Sequence, residues 1–199
     1  MYNEEYKEKI KHDLKASLSP HRYTHVLGVA AAARKLAARY GADADTAEVA
    51  GLLHDAAKQL SLADMRKLAA KYYPSLPQAI LDNGGLLHGY AAVAIARDTY
   101  GLTDPDLLNA IAHHTTGAEV MSTLEKIIFL ADYIEVNRDY DGVDDLRAAA
   151  KKSLDYGVLK GYDSTIGHLV DQDKPIFVGT VSNRNALLAQ MQQAEGKDA

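Results

Sequence analysis

Metal coordination is the chemistry this chain is best equipped for. It carries eight histidines and no cysteine, which leaves imidazole and carboxylate as its strong ligands and excludes disulfides, thiolate nucleophiles and zinc-thiolate sites. The placement of the histidines matters more than their number. His25 stands four residues before Val29 and eight before Ala33, so its ring falls on the apolar stripe of a helix, with Arg22 one turn earlier on the same side. The doublet His54-Asp55 follows Gly51-Leu52-Leu53 in an apolar stretch, and Lys58 comes four and three residues after its two members. Adjacent helical residues are about 100° apart, so both side chains of the doublet can reach one cluster. His88 opens a helix whose small-residue face is Ala91, Ala92 and Ile95. Asp132 ends the apolar run Ile127-Ile128-Phe129-Leu130-Ala131, where an unpaired carboxylate is costly, so a cation is expected beside it. In the pair His113-His114, the phase of Leu107 and Ile111 continues through His114, whereas His113 aligns with Asp106 and Asn109. His114 is therefore expected inside and His113 outside. A single inward histidine is ordinarily a hydrogen-bonded core residue, and a lone Lys58 is ordinarily a solvated helix end. Five inward-phased His or Asp positions on five helices are harder to explain as packing. His12, His21, His113 and His168 are read as surface or structural residues.

The elements that must position these groups are helices. Ser19 and Pro20 supply an N-cap and a first-turn proline, after which Arg22 to Tyr40 carries its stripe at Val26, Val29, Ala33 and Leu36 and stops at Gly41. A second helix is expected from Asp45 to Lys58. Ser61 with Asp64, Ser75 with Gln78 and Ser122 with Glu125 have capping-box spacing, and each is expected to start another. Further helices are expected over Leu87 to Tyr100, Pro105 to His114, Leu124 to Arg138, Val143 to Tyr156 and Asn183 to Gln193. Only Ile176 to Val178 suits an extended segment. No repeat, low-complexity run or long linker divides residues 1–199, so the expectation is all-α: a single-domain helical bundle closed by a C-terminal helix from about 183 whose polar tail frays.

Composition narrows the function classes. Lys and Arg number 22 against 27 Asp and Glu, a net charge of −5, the wrong sign for non-specific contact with nucleic acid. A small anion could still be held by a local group of cations. No run of apolar residues is long enough to span a membrane, and the opening Met-Tyr-Asn-Glu-Glu lacks the character of a signal peptide. A cytoplasmic location is expected, without nucleic-acid or membrane partners; a homodimer is compatible with the sequence.

Taken together, His25, His54-Asp55 and Asp132 resemble the signature of the HD-domain phosphohydrolases: a histidine, a His-Asp doublet, then a distant aspartate. Within that superfamily the chain is similar to the bacterial YqeK-type symmetrical diadenosine tetraphosphate hydrolases. The likeness is carried by Gly-Leu-Leu-His-Asp-Ala-Ala-Lys (51–58), Leu-Leu-His-Gly (86–89), His-His-Thr-Thr-Gly (113–117) and Lys-Ile-Ile-Phe-Leu-Ala-Asp-Tyr-Ile-Glu-Val-Asn-Arg (126–138). One departure is Val136, where the group's pattern has proline after Ile134-Glu135. The HD-GYP type of cyclic-dinucleotide phosphodiesterase fits less well, because Thr115-Thr116-Gly117 follows the histidine pair in place of Gly-Tyr-Pro.

The resemblance implies an HD-type helical domain that hydrolyses a dinucleoside polyphosphate, cutting diadenosine tetraphosphate into two ADP. It implies one metal held by His25, His54, Asp55 and Asp132 and a second held by His88, His114 and a bridging Asp55. Mixed imidazole and carboxylate ligands suit iron, manganese, cobalt or zinc better than magnesium or calcium, and the resemblance points to iron. Asp55 and Lys58 are the candidate catalytic residues, and Arg22, Lys58, Thr115 and Arg138 the candidate substrate contacts. The alternatives are an HD-type nucleotidase or deoxynucleoside triphosphate hydrolase, and a regulatory nucleotide-binding module.

Overall fold

The computed structural model describes residues 2–196; Met1 and residues 197–199 lie outside the description. Its described residues form eleven helices and no strand. In chain order these are α1 (Glu4–Ser17), α2 (Pro20–Tyr40), α3 (Ala44–Leu53), α4 (Leu62–Ala70), α5 (Gln78–Leu81), α6 (Gly84–Tyr100), α7 (Pro105–His113), α8 (Thr123–Ile134), α9 (Val143–Lys152), α10 (Leu154–Asp171) and α11 (Val178–Glu195). None of these helices is long and apolar enough to cross a membrane.

Local chemistry explains most of the starts and stops. Ser19 accepts from the Arg22 backbone N–H and Pro20 occupies the first turn of α2, while Gly41 ends it in the left-handed conformation at φ 77°. Ser61 caps α4, and Ser122 with Glu125 forms a reciprocal capping box on α8. The box expected at Ser75 and Gln78 does not form. α5 instead starts after Pro77, which has no side-chain acceptor, and lasts a single turn.

Other departures from expectation lie at helix ends. α3 stops at Leu53 rather than at Lys58, because the hydrogen bonds tighten beyond His54: Ala56 bonds Leu53, Lys58 bonds Asp55 and Leu60 bonds Ala57. α6 begins at Gly84, capped by Asn83, which places His88 in its second turn rather than at its start. α8 ends at Ile134, with Glu135 turned out of the helix at ψ 157°, so Arg138 lies in a loop. The helix expected over Val143 to Tyr156 is broken at Ser153, whose extended backbone closes α9 and whose side chain caps α10. α1 and most of α10 were not expected. Within α10, Gly157 lies against Leu130 and Ala150, and Gly161 against Phe129, where larger residues would collide. Ile176 is irregular rather than paired in a strand, and α11 runs from Val178 through Glu195, longer at both ends than expected.

The core is organised around α8, whose Ile127, Ile128, Phe129, Leu130 and Ala131 are all fully buried. It packs against α2, α3, α7, α9 and α10. α1 is tied on by a polar contact: the buried Lys7 ammonium meets Glu4, Asp45 and Glu48, and Arg34 joins the same two α3 carboxylates. α2 and α3 approach closely at Gly51, where an added Cβ would lie 2.8 Å from the Ala30 Cα.

This contact makes the sign of one substitution informative. Alanine ordinarily stabilises a helix interior relative to glycine by about 1 kcal/mol. At position 51 the crowding dominates, and Gly51→Ala should destabilise the fold by about 1–3 kcal/mol in urea unfolding. A stabilised variant would show that α2 and α3 do not cross this tightly.

Candidate metal centre

Five helices deliver six side chains to one place. His25 comes from the second turn of α2, His54 and Asp55 from the tightened end of α3, His88 from α6, His114 from the residue just beyond α7, and Asp132 from the last turn of α8. All but Asp132 are buried, and Asp132 keeps a side-chain exposure of 20%. Three subsets place ligand atoms close enough to share an ion: His25, His54 and Asp55; His54, His114 and Asp132; and Asp55, His88 and His114.

Asp55 sits at the junction. Its Oδ2 lies 3.7 Å from His25 Nε2 and 3.6 Å from His54 Nε2, while its Oδ1 lies 3.0 Å from His88 Nε2 and 3.8 Å from His114 Nε2. One carboxylate thus faces two pairs of imidazoles. Asp132 Oδ1 stands 3.0 Å from His25 Nε2 and 4.0 Å from His54 Nε2.

The ring orientations follow from acceptors outside the cluster. His54 Nδ1 is 2.7 Å from the Gly51 carbonyl, His88 Nδ1 is 3.1 Å from that of Gly84, His114 Nδ1 is 2.8 Å from that of Ile111, and His25 Nδ1 is 3.3 Å from the Glu135 carboxylate. A carbonyl can only accept, so each of the first three rings carries its proton on Nδ1 and turns the Nε2 lone pair inward. Such an outward bond is the ordinary support of a metal-ligating histidine. Nε2 of His25 and of His54 is buried without a hydrogen-bond partner, and the Nε2 atoms of His88 and His114 face each other at 2.8 Å. Lone pairs crowded among carboxylate oxygens call for shared cations, so the donor set fits a divalent transition metal.

Protonation points the same way. Burial pushes His54 and His114 down from the ordinary imidazole value, which keeps them neutral and able to ligate. For Asp55, burial acts upward but is outweighed by His54, His88 and His114, and the carboxyl stays well below the usual range. For Asp132, burial is likewise overcome, here by His25, His54 and Arg138.

Three cations form a rim around this floor. Arg22 Nη1 donates to Asp55 Oδ2 at 2.7 Å, and Arg138 donates to both the side chain and the carbonyl of Asp132. Lys58 Nζ lies 3.3 Å from His88 Nε2 and 4.0 Å from Asp55 Oδ1, and burial lowers its pKa against the pull of Asp55 and Asp132. Side-chain exposures of 24% for Arg22, 31% for Lys58 and 35% for Arg138 place them between the buried imidazoles and solvent. Thr115 is half-buried in the turn after His114, and no hydrogen bond among the described residues joins its side chain to the cluster.

Two residues have roles that helical phase alone does not reveal. Glu135 is 2% exposed, and besides facing His25 Nδ1 it accepts from the backbone and side-chain amides of Asn137. Its only trace in the sequence is a carboxylate closely following the apolar run of α8. His113 lies outside the cluster, yet it is not solvated like the exposed His12, His21 and His168. Its Nδ1 is 2.6 Å from Glu125, the buried acid of the α8 capping box, and so joins α7 to α8. On the other side, α6 meets α7 at Gly89, where a Cβ would lie 2.7 Å from the Ala112 carbonyl and 3.1 Å from His114 Nδ1.

With this geometry in view, the comparisons are specific. The HD domain family matches residues 22–137, a span that begins at Arg22 and ends one residue before Arg138. The chain belongs to the HD-domain family. It is 42% identical over 176 residues to a symmetrical bis(5'-nucleosyl)-tetraphosphatase of Halalkalibacterium halodurans, covering 88% of this chain and 93% of that one. It is 36% identical over 177 residues to the protein of the same name from Bacillus subtilis, covering 88% and 94%. A crystal structure from Clostridium acetobutylicum, described as a predicted HD superfamily hydrolase involved in NAD metabolism, superposes with a TM-score of 0.88 at 40% identity, covering 92% of this chain and 97% of the other.

The two adjacent histidines should separate cleanly. His114→Ala should remove metal from the purified protein, measured by elemental analysis, while leaving the helical circular dichroism in place. His113→Ala should retain the metal but lower stability by about 1–3 kcal/mol, because it leaves the buried Glu125 with one partner fewer. Equal metal loss in both variants would contradict the geometry.

Proposed function

We propose that this chain is a metal-dependent hydrolase that cuts dinucleoside tetraphosphates symmetrically, converting diadenosine tetraphosphate and water into two ADP. The observation that carries the reading is the junction at Asp55: a single buried carboxylate presenting one oxygen to each of two imidazole pairs, with three cations at the rim. Its support is the high identity, over nearly the whole chain, to proteins bearing that activity in their names. In this reading His25, His54, Asp55 and Asp132 hold one divalent ion, and His88, His114 and the shared Asp55 hold a second. The mixed imidazole and carboxylate donors suit iron, manganese, cobalt or zinc, and the family resemblance favours iron among them. When bound, such ions supply Lewis acidity, lowering the pKa of water toward neutrality and polarising a phosphoryl oxygen.

The protein's own groups account for the remaining steps. Arg22, Lys58 and Arg138 grip the anionic chain at the rim, concentrating positive charge locally in a protein whose net charge is −5. In this reading Thr115, half-buried in the turn after His114, is a further substrate contact. Lys58 Nζ, with its lowered pKa, stabilises charge that develops on the phosphoryl oxygens. Asp55 orders the centre from its middle. A phosphate chain held by its interior leaves one adenosine directed outward on each side. Attack at the second phosphorus from one adenosine breaks the central anhydride and expels ADP, whose terminal phosphate has a second pKa near neutrality and needs little proton assistance.

Product analysis tests the register. Hydrolysis of diadenosine tetraphosphate by the metal-loaded protein in oxygen-18 water should give ADP alone, half of it carrying one heavy oxygen, by chromatography and mass spectrometry. Equal AMP and ATP would refute symmetrical cleavage. Release of inorganic phosphate from mononucleotides in preference would favour an HD-type nucleotidase, and binding without turnover would favour a regulatory module.

A further inference from the structure

Arg147 belongs to α9 and supplies nothing to the cluster, yet its guanidinium reaches into the loop that follows α8. Its Nε donates to the Ile134 carbonyl at 3.2 Å, and its Nη2 donates to the carbonyls of Glu135 and Arg138 at 3.0 and 2.9 Å. Its Nη1 is held by Asp144 at 2.9 Å. The first two acceptors are carbonyls left without intrahelical partners where α8 ends, which a cation at a helix C-terminus serves well. The third belongs to a residue of the cation rim.

These contacts matter because of what the same residues hold with their side chains. Glu135 faces His25 Nδ1, and Arg138 holds Asp132. The loop is also held from within, by the Arg138 N–H on the Glu135 carbonyl at 3.0 Å and the Arg138 guanidinium on Asp132, but Val136 at its tip is 81% exposed, where a proline would have restricted the backbone. Gly28 leaves space for the Glu135 carboxylate, since a Cβ there would come within 2.1 Å of Oε2.

We infer that Arg147 is a positioning residue for the metal centre: by clamping the carbonyls of Ile134, Glu135 and Arg138 it holds the Glu135 carboxylate against His25 and the Arg138 guanidinium against Asp132. The inference rests on reading the cluster as a metal centre. It requires the planar fork of arginine, because an ammonium is a point charge and does not span three carbonyls in fixed directions.

The test uses the full chain, manganese(II) as the probe, and the variants Arg147→Ala and Arg147→Lys beside Leu14→Ala, a core truncation on α1. Manganese affinity is measured by chelator competition, stability by thermal unfolding, and kcat and KM with diadenosine tetraphosphate. Both Arg147 variants should remain helical and lose about 10- to 100-fold in manganese affinity, as outer supports of metal ligands do. At saturating manganese kcat should fall, and KM should rise as well, because the Arg138 guanidinium that grips the phosphates loses its support. Added methylguanidinium should restore part of the affinity to Arg147→Ala, and lysine should restore little. Should Arg147→Ala fail to fold, Arg147→Lys carries the test alone. Affinity within about twofold of wild type in the folded variants would overturn the inference, as would an equal loss in Leu14→Ala once melting temperatures are matched. Absence of manganese binding by the wild-type chain would instead overturn the metal-centre reading itself.

Discussion

Each clustered imidazole directs its Nδ1 to an oxygen outside the cluster, and the rest of the structure is arranged to keep those oxygens in place. Three of the four are backbone carbonyls one helical turn earlier, at Gly51, Gly84 and Ile111. The fourth is the Glu135 carboxylate. A buried imidazole with an uncommitted Nδ1 could rotate or exchange tautomers, and its Nε2 lone pair would lose its direction. The outward bonds therefore turn hydrogen-bonded core histidines into a converging set of donors.

This constraint accounts for where the helices end and how closely they approach. His54 and His114 sit at the last turns of α3 and α7, where the ring can fold back on a carbonyl of its own helix. Beyond His54 the tightened turns keep Asp55 and Lys58, three residues apart, on one side. Gly51 and Gly89 are positions where a neighbouring helix comes too near for a side chain, and each is next to a bond that orients a histidine. Packing and ligand geometry are here the same problem, solved by the same residues.

The charge distribution follows a similar logic. Two carboxylates in a largely apolar setting are costly unless cations accompany them. Arg22, Arg138 and Lys58 provide that compensation from the rim, part in solvent, while His54 and His114 below remain neutral because burial disfavours their charged form. The outcome is a locally positive mouth over a floor of neutral and anionic donors within an acidic protein. That arrangement suits a polyphosphate better than a neutral substrate.

The sequence by itself determined the helical class, the inward faces of His25 and His114, and the caps at Ser19, Ser61 and Ser122, because periodicity and capping act within about a turn of the chain. It also placed the His-Asp doublet and Asp132 in apolar surroundings where ionisable groups need partners. Only the tertiary structure decided that the two oxygens of Asp55 face different imidazole pairs, since that depends on the crossing of α3 with α2, α6 and α7. It also decided where α3 and α8 stop, and that α10 tolerates Gly157 and Gly161, because Leu130 and Phe129 of α8 pack against those two positions, a contact that local propensity does not encode. Glu135 was beyond local reasoning for the same cause. Its partner His25 lies 110 residues away in the chain, and no period or spacing links positions that only folding brings together.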